Sequence, residues 1–322
     1  MSVRYSVVIP AYNEEAVVNE CYERLTKIMS SLGEGYELIF VDDGSRDKTN
    51  EIIKELCSKD KNVRLIEFSR NFGHQAAISA GMEMSSGSAI IIIDADMQDP
   101  PEVIPEMIKK WKDGYDVVYG QREKRRGEST FKKITAKFFY RFLSTQTDIK
   151  IPVDTGDFRL IDRKVCDVLS TFTEKNRYVR GLVSFAGFKQ TGVKYTRDER
   201  YAGETKYPFR KMVNFALDAT TSFSRKPLKL AGYTGFMLSI ASFVYLFITI
   251  YLKLFTDKTV SGWASIVSVS LLFNGVVLIM LGIMGEYIGR IYDEVKNRPL
   301  YIIKEKTGFS ERKDDLNDKG DK

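Results

Sequence analysis

Four consecutive isoleucines, Ile90 to Ile93, run straight into Asp94-Ala95-Asp96-Met97-Gln98, and this stretch limits the possible folds more than any other. Four β-branched residues in a row read as a strand buried on both faces, the situation of a parallel sheet covered by helices. Strand side chains repeat every two residues, so Asp94 and Asp96 are expected to point the same way at the strand's carboxyl end. Hard oxygen ligands at that edge suit Mg²⁺ or Mn²⁺ carrying phosphates. A lone Asp-x-Asp would be read more simply as a cap for the helix expected after Pro100-Pro101.

The pair is not alone. Val7-Val8-Ile9 is a short apolar strand that runs into Pro10-Ala11-Tyr12-Asn13-Glu14. Leu38 to Val41 ends in Asp42-Asp43-Gly44-Ser45, and Val63 to Phe68 runs into Ser69-Arg70-Asn71-Phe72-Gly73-His74. Amphipathic stretches over roughly 15–30, 46–60 and 74–86 separate these strands. Strand and helix in regular alternation predict an α/β fold with a doubly wound, mainly parallel sheet. Ligands of such sheets bind outside the carboxyl ends of the strands. Each polar cluster falls there, so a nucleotide site is expected at that edge.

The 322 residues are 43% hydrophobic, enough for one large core and an appendage. Cys21, Cys57 and Cys166 lack metal or disulfide spacing, which fits a reducing compartment. The single histidine, His74, reads as a polar residue at a helix start and cannot found a histidine cluster by itself. The apolar stretch at residues 6–9 is only strand-length before Pro10, so it does not read as a signal peptide.

The apolar residues are unevenly spread. No charge occurs from Leu230 to Leu252, nor from Thr259 to Gly285, with Lys253, Asp257 and Lys258 between the runs. Each run exceeds the about 20 helical residues that cross a bilayer. Arg225, Lys226 and Lys229 precede the first, while Arg290, Lys296 and Arg298 follow the second. By the positive-inside rule both termini and the soluble domain face the cytoplasm. The expected organisation is a catalytic domain over 1–225, a membrane hairpin over 226–290 with spans near 230–252 and 264–285, and a tail over 291–322. The charged end from Ser310 onward reads as disordered.

Two further segments have the pattern of interfacial helices. Around 130–145, Phe131, Ile134, Phe138 and Phe142 recur at helical spacing among Lys132, Lys133, Lys137 and Arg141. The stretch 207–224 is the second case, and packing on the sheet is the alternative for both. The net charge of +6 suits headgroups and anionic substrates. Nucleic acid would be another use for such charge, but no nucleic-acid-binding motif accompanies it.

Taken in order, Pro10-Ala-Tyr-Asn-Glu14, Val41-Asp-Asp-Gly-Ser45, Arg70-Asn-Phe-Gly-His74, Asp94-Ala-Asp-Met-Gln98 and Gly156-Asp-Phe-Arg159 resemble family 2 glycosyltransferases of GT-A fold. The resemblance is nearest to the polyprenyl-phosphate branch, which includes dolichol-phosphate mannosyltransferases and bactoprenol (undecaprenyl-phosphate) glucosyltransferases. It continues through Arg200-Tyr-Ala-Gly-Glu-Thr-Lys206-Tyr207 and Gly285-Glu-Tyr-Ile-Gly-Arg-Ile-Tyr292, nearly the whole chain.

What the resemblance implies is transfer of a sugar from a nucleotide sugar to the phosphate of a membrane polyprenol, at the inner membrane. Asp94, Asp96 and Gln98 would hold the metal, which stabilises the diphosphate leaving group. Pro10, Tyr12 and Glu14 would wall the nucleotide, with Asp42 and Asp43 on uracil or ribose, Asp43 preferred for the base, and Arg70 a nearby cation. Asp96 and Asp157 would be catalytic, Asp157 either as a base or by orienting the acceptor. Arg122, Arg126, Arg200 and Lys206 would hold the acceptor phosphate, a dianion for which guanidinium forks are suited. UDP-glucose is the preferred donor; UDP-GlcNAc, GDP-mannose and aminoarabinose donors follow.

Two rival readings require features of their own. A processive polysaccharide synthase would carry Gln-x-x-Arg-Trp, but neither Trp111 nor Trp263 follows an arginine. An inactive lipid-binding scaffold would not need the acidic pair or Asp157. Gly275, Gly282, Gly285 and Gly289 in the second span have spacing that lets helices approach closely, either within the hairpin or between copies of a homo-oligomer.

Overall fold

The structure is a computed structural model describing residues 3–122, 155–196, 226–255 and 262–309. Arg126, Arg200, Lys206, both expected interfacial helices and the charged end from residue 310 lie outside the described residues. Two compact units divide the chain, one holding the sheet and one the apolar hairpin.

In the first unit β1 (Tyr5–Ala11), β2 (Tyr36–Asp42), β3 (Val63–Phe68) and β4 (Ala89–Ile92) form a parallel core. They are linked by α1 (Val18–Ser31), α2 (Thr49–Lys59) and α3 (His74–Met84). A short 3₁₀ turn, Pro101–Val103, leads into α4 (Ile104–Lys112), then β5 (Val117–Arg122), β6 (Thr155–Asp162), α5 (Arg163–Ser170), α6 (Val179–Phe185) and β7 (Gln190–Tyr195). The isoleucine run behaves as its composition demands, with Ile90 to Ile93 fully buried. Helix α1 turns Val18, Cys21, Leu25 and Met29 to the sheet, the three- and four-residue spacing of an amphipathic helix.

The sheet has eight strands in the order β7-β5-β6-β4-β1-β2-β3-β8. Strand β6 runs antiparallel to both β4 and β5, so the sheet is mixed. The last strand, β8 (Ile303–Thr307), is antiparallel to β3 and comes from the stretch read from sequence as a tail. Tyr301 stacks on Phe68 with centroids 5.0 Å apart, and Leu300, Ile303 and Phe309 pack on the same core. Gly308 ends the strand at φ +81, where a Cβ would lie 2.6 Å from the Val63 carbonyl oxygen. Five residues with alternating charges hide such a strand, because its docking depends on long-range packing rather than on local apolar pattern.

The second unit contains α7 (Lys226–Phe255) and α8 (Trp263–Val295). Within them Ala231–Leu252 and Leu272–Val295 are long and apolar enough to cross a membrane. Large apolar side chains such as Phe236, Phe243, Phe247 and Leu278 are exposed along these helices, an arrangement that suits hydrocarbon rather than water. Glu286 pairs with Arg290 one turn on, at 3.0 Å. A Cβ added at Gly275, Gly282, Gly285 or Gly289 would meet nothing within 4 Å, whereas one at Gly235 would touch Met280.

Candidate active site

The carboxyl edge of the parallel strands is knitted together by short polar bonds. The Asn13 amide donates to Ser45 Oγ at 3.0 Å, and the Arg46 amide to Asn13 Oδ1 at 2.8 Å. Asn13 adopts φ +55 to do so, an uncommon left-handed conformation for a non-glycine residue. Asp42 accepts from the Ser45 amide and from Asn50 Nδ2, both at 3.0 Å. Pro10 is buried in β1, while the Glu14 amide donates to Thr49 Oγ1 at 2.8 Å.

A cavity of about 480 Å³ opens at this edge, lined by Tyr12, Asp42, Asn50, Arg70 and, from β8, Lys304, among others. That volume is in the range of small-molecule sites. Arg70 lies with its guanidinium 4.0 Å over the Phe72 ring. Asp43 does not line the cavity: its carboxylate accepts from the backbone amides of Phe72 and Gly73 and so shapes the loop after β3. Burial pushes its pKa up against those two hydrogen bonds. Both acids are buried, and of the two it is Asp42 that lines the cavity.

The Asp94–Asp96 pair lies beyond the end of β4, which closes at Ile92. The period-two argument thus does not orient these acids; a turn does, with Met97 at φ +53 and the Gln98 amide donating to Asp96 Oδ1 at 3.2 Å. Asp94 is the most perturbed of them. Burial, against the opposing charge of His74, raises its pKa to about 6. Its Oδ1 is buried and accepts no hydrogen bond, although His74 Nε2 stands 3.4 Å away. The contact has ion-pair distance without hydrogen-bond geometry, so a lone pair on that oxygen remains for another partner.

Among the described residues no three histidine, cysteine or acidic side chains converge as a closed metal cage. Mg²⁺ and Mn²⁺ do not need one, since they bind through one or two carboxylates together with water and substrate phosphates. The unbonded Asp94 oxygen fits such a cation.

Behind the acids lies a cluster around Asp157 that includes Arg180, a residue the sequence did not mark. Asp157, on β6 and 6% exposed, receives Arg180 of α6 in a two-pronged ion pair, Nε to Oδ1 at 2.9 Å and Nη2 to Oδ2 at 3.1 Å. His74 Nε2 lies 3.4 Å from Asp157 Oδ2, which places it between Asp94 and Asp157. Burial alone would raise the Asp157 pKa, but Arg180 and His74 hold it well below the carboxylate range. Burial likewise opposes charge on His74, yet its ring is 44% exposed and the two carboxylates raise its pKa to about 9. Asp157 is therefore an ionised anchor and a weak proton acceptor. No local signal marked Arg180, which is one of many arginines and reaches Asp157 only through the packing of α6.

Arg122, at the end of β5, is 14% exposed and committed to neighbours. Its Nη2 stands 3.4 Å from both Asp99 oxygens, and its Nε donates to Tyr195 Oη at 3.2 Å. A Cβ at Gly156 would lie 2.6 Å from Arg122 Nη2, so the close approach this glycine permits is that of the arginine.

With this geometry in view, the relatives are informative. Glycosyl transferase family 2 matches residues 6–169, and the GtrB C-terminal hairpin family matches residues 226–291. The uncharacterized glycosyltransferase YkcC of Bacillus subtilis is 58% identical, covering 97% of this chain and 96% of that protein. The SfII prophage-derived bactoprenol glucosyl transferase of Shigella flexneri is 40% identical over 94% of this chain and 98% of its own. A prophage bactoprenol glucosyl transferase homolog of Escherichia coli is 38% identical over 94% and 99%. The chain belongs to glycosyltransferase family 2, and it is a glycosyltransferase.

Proposed function

We propose that this family 2 enzyme transfers a hexose, glucose from UDP-glucose, to the phosphate of a membrane polyprenol with inversion at the anomeric carbon. The observation that carries the reading is one shared edge: the polar cavity and the Asp94–Asp96 turn both sit at the carboxyl ends of the parallel strands. The chain that builds this edge also carries two helices long enough to span a bilayer. Relatives named bactoprenol glucosyl transferases, similar over nearly their full length, support the acceptor and the sugar.

In this reading Tyr12, Asp42 and Arg70 bind the nucleotide, while Asp94, Asp96 and Gln98 hold Mg²⁺ or Mn²⁺. The cation supplies Lewis-acid stabilisation of the departing diphosphate. An oxygen of the acceptor phosphate bonds to the anomeric carbon as the bond from that carbon to the nucleoside diphosphate breaks. The phosphate is already largely ionised near neutral pH, so no strong base is required. That matches the low proton affinity of Asp157, whose part is to hold His74 and Arg180 in place beside the acidic turn. Arg126, Arg200 and Lys206 are assigned to the acceptor phosphate, and Arg122 to the wall behind it.

Strands from both sides of the hairpin join one sheet, which supports an even number of crossings between them, and the basic residues flanking the hairpin support a cytoplasmic placement of both termini. The open glycine positions of α8 support packing against a second copy of the chain.

The test is transfer by purified full-length enzyme in detergent, with undecaprenyl phosphate and a panel of radiolabelled nucleotide sugars. Labelled lipid from UDP-glucose, lost in EDTA and regained with Mg²⁺ or Mn²⁺, is expected. Labelling from another donor alone would replace glucose in the proposal, and no lipid labelling from any donor would overturn it.

A further inference from the structure

Among the described residues the most informative feature left unused is Lys304, which reaches the cavity from a strand that follows the membrane hairpin. That strand is firmly built in. The Ser69 amide donates to the Ile302 carbonyl at 3.0 Å, Tyr301 stacks on Phe68, and Gly308 fits against the Val63 carbonyl. Lys304 Nζ donates to Glu67 Oε1, and Glu67 also takes Lys54 at 3.0 Å, which in turn pairs with Glu305 at 2.6 Å. Lys54 thus offsets the Glu67 carboxylate from its other side. An ammonium has three donors, and the Lys304 side chain is 61% exposed at the cavity, so donors remain for a ligand.

Strand order says which part of a ligand Lys304 would meet. From β4 to β8 the order is β4-β1-β2-β3-β8, four strand spacings. At about 4.8 Å per spacing, that is roughly 19 Å along the edge. A nucleoside diphosphate with its phosphates at the Asp94–Asp96 turn therefore extends its base toward β2, β3 and β8. Asp42 accepts hydrogen bonds there and Lys304 donates them.

We infer that Lys304 is a base-reading residue of the donor site, and that with Asp42 it selects bases presenting a ring N–H beside a carbonyl, uracil or guanine. Cytosine and adenine present an amino group where the lysine needs an acceptor and a bare ring nitrogen where the aspartate needs a donor. The strand after the hairpin is thereby part of the catalytic domain's specificity. This inference rests on the donor reading of the cavity.

The experiment is calorimetric binding of UDP, GDP, CDP and uridine to the full-length protein in detergent, for wild type, Lys304→Met, Lys304→Arg and Lys306→Ala. Wild type is expected to bind UDP or GDP at least about 10-fold tighter than CDP. Lys304→Met should lose about 10-fold for the preferred base and narrow the gap to CDP, because charge-assisted bonds contribute roughly 1.5–3 kcal/mol. Uridine should lose affinity in parallel with UDP if UDP is preferred, Lys304→Arg should restore most of the binding, and Lys306→Ala should match wild type. Unchanged base preference in Lys304→Met overturns the inference while leaving the donor reading intact, as does a loss seen with diphosphates but not with uridine. Wild-type protein that binds no nucleoside diphosphate overturns the donor reading and this inference with it.

Discussion

Asp43 and Asp157 are both buried acids at the functional edge, and the two halves of the sheet neutralise them by different means. In the parallel half, Asp43 is met by backbone amides of Phe72 and Gly73, so its charge is spent on the shape of a loop. In the mixed half, Asp157 is met by the Arg180 guanidinium and by His74, so its charge organises other ionisable groups. Asp94 stands between the halves with an oxygen that neither satisfies. Amide caps fix the loop after β3 by hydrogen bonds to its own backbone. Ion pairs leave a cluster around Asp157 whose integrity depends on every charge being present.

The most severe way to break this division is to remove the group between the halves. Asp94→Asn and Asp96→Asn should each lower transfer by at least about 1,000-fold, since metal stabilisation of a leaving group supplies several kcal/mol. Radiolabel assays would show it, and full wild-type activity in EDTA would remove the cation from the mechanism.

Next in size is the Arg180–Asp157 pair. Arg180→Gln strands a buried carboxylate and should cost about 3 kcal/mol of stability in urea unfolding. The pH dependence has a defined sign. The Asp157 pKa is held below its unfolded value of about 3.9, so the pair stabilises the fold above that pH and loses its contribution as pH falls through the folded value. The Tm gap between wild type and Asp157→Asn should therefore be widest near pH 5 to 6 and shrink below about pH 4; it should also narrow as pH rises from about 6.5 toward 9, where His74 gives up the proton that Asp157 helps it hold. A gap that widened below about pH 4 would refute the ionised anchor.

Smaller effects separate Arg122 from the cations beyond the described residues. Arg200→Ala and Lys206→Ala should raise the acceptor KM by about 10-fold with Tm unchanged. Arg122→Ala should instead lower Tm, because Asp99 and Tyr195 lose a buried partner. Equal kinetic profiles with unchanged Tm for all three would place Arg122 on the lipid phosphate after all. Gly308→Ala should lower Tm without changing acceptor KM, by about 1 kcal/mol from the left-handed backbone alone and further through the 2.6 Å approach of its Cβ to the Val63 carbonyl oxygen.

By itself the sequence determined the parallel core and its edge. Uninterrupted β-branched strands such as Ile90–Ile93 can be buried only between helix layers, and polar turns after each strand then share one rim. It also determined the hairpin, since runs without charge from Leu230 to Leu252 and from Thr259 to Gly285 carry their membrane preference in composition alone. Both properties are local, so they are readable locally. Only the tertiary structure decided that Asp42 rather than Asp43 faces the cavity, and that the acids after β4 are aimed by a turn. It also decided that Asp157 is held by Arg180 and that Lys304 returns to the cavity from 236 positions beyond Phe68 (304 − 68). Each of these depends on which backbone amide or charged side chain is brought within about 3 Å of a given carboxylate. Sequence spacing cannot encode those choices, because they are made by the packing of α6 against α5, from which Arg180 reaches β6, and by the pairing of β8 with β3.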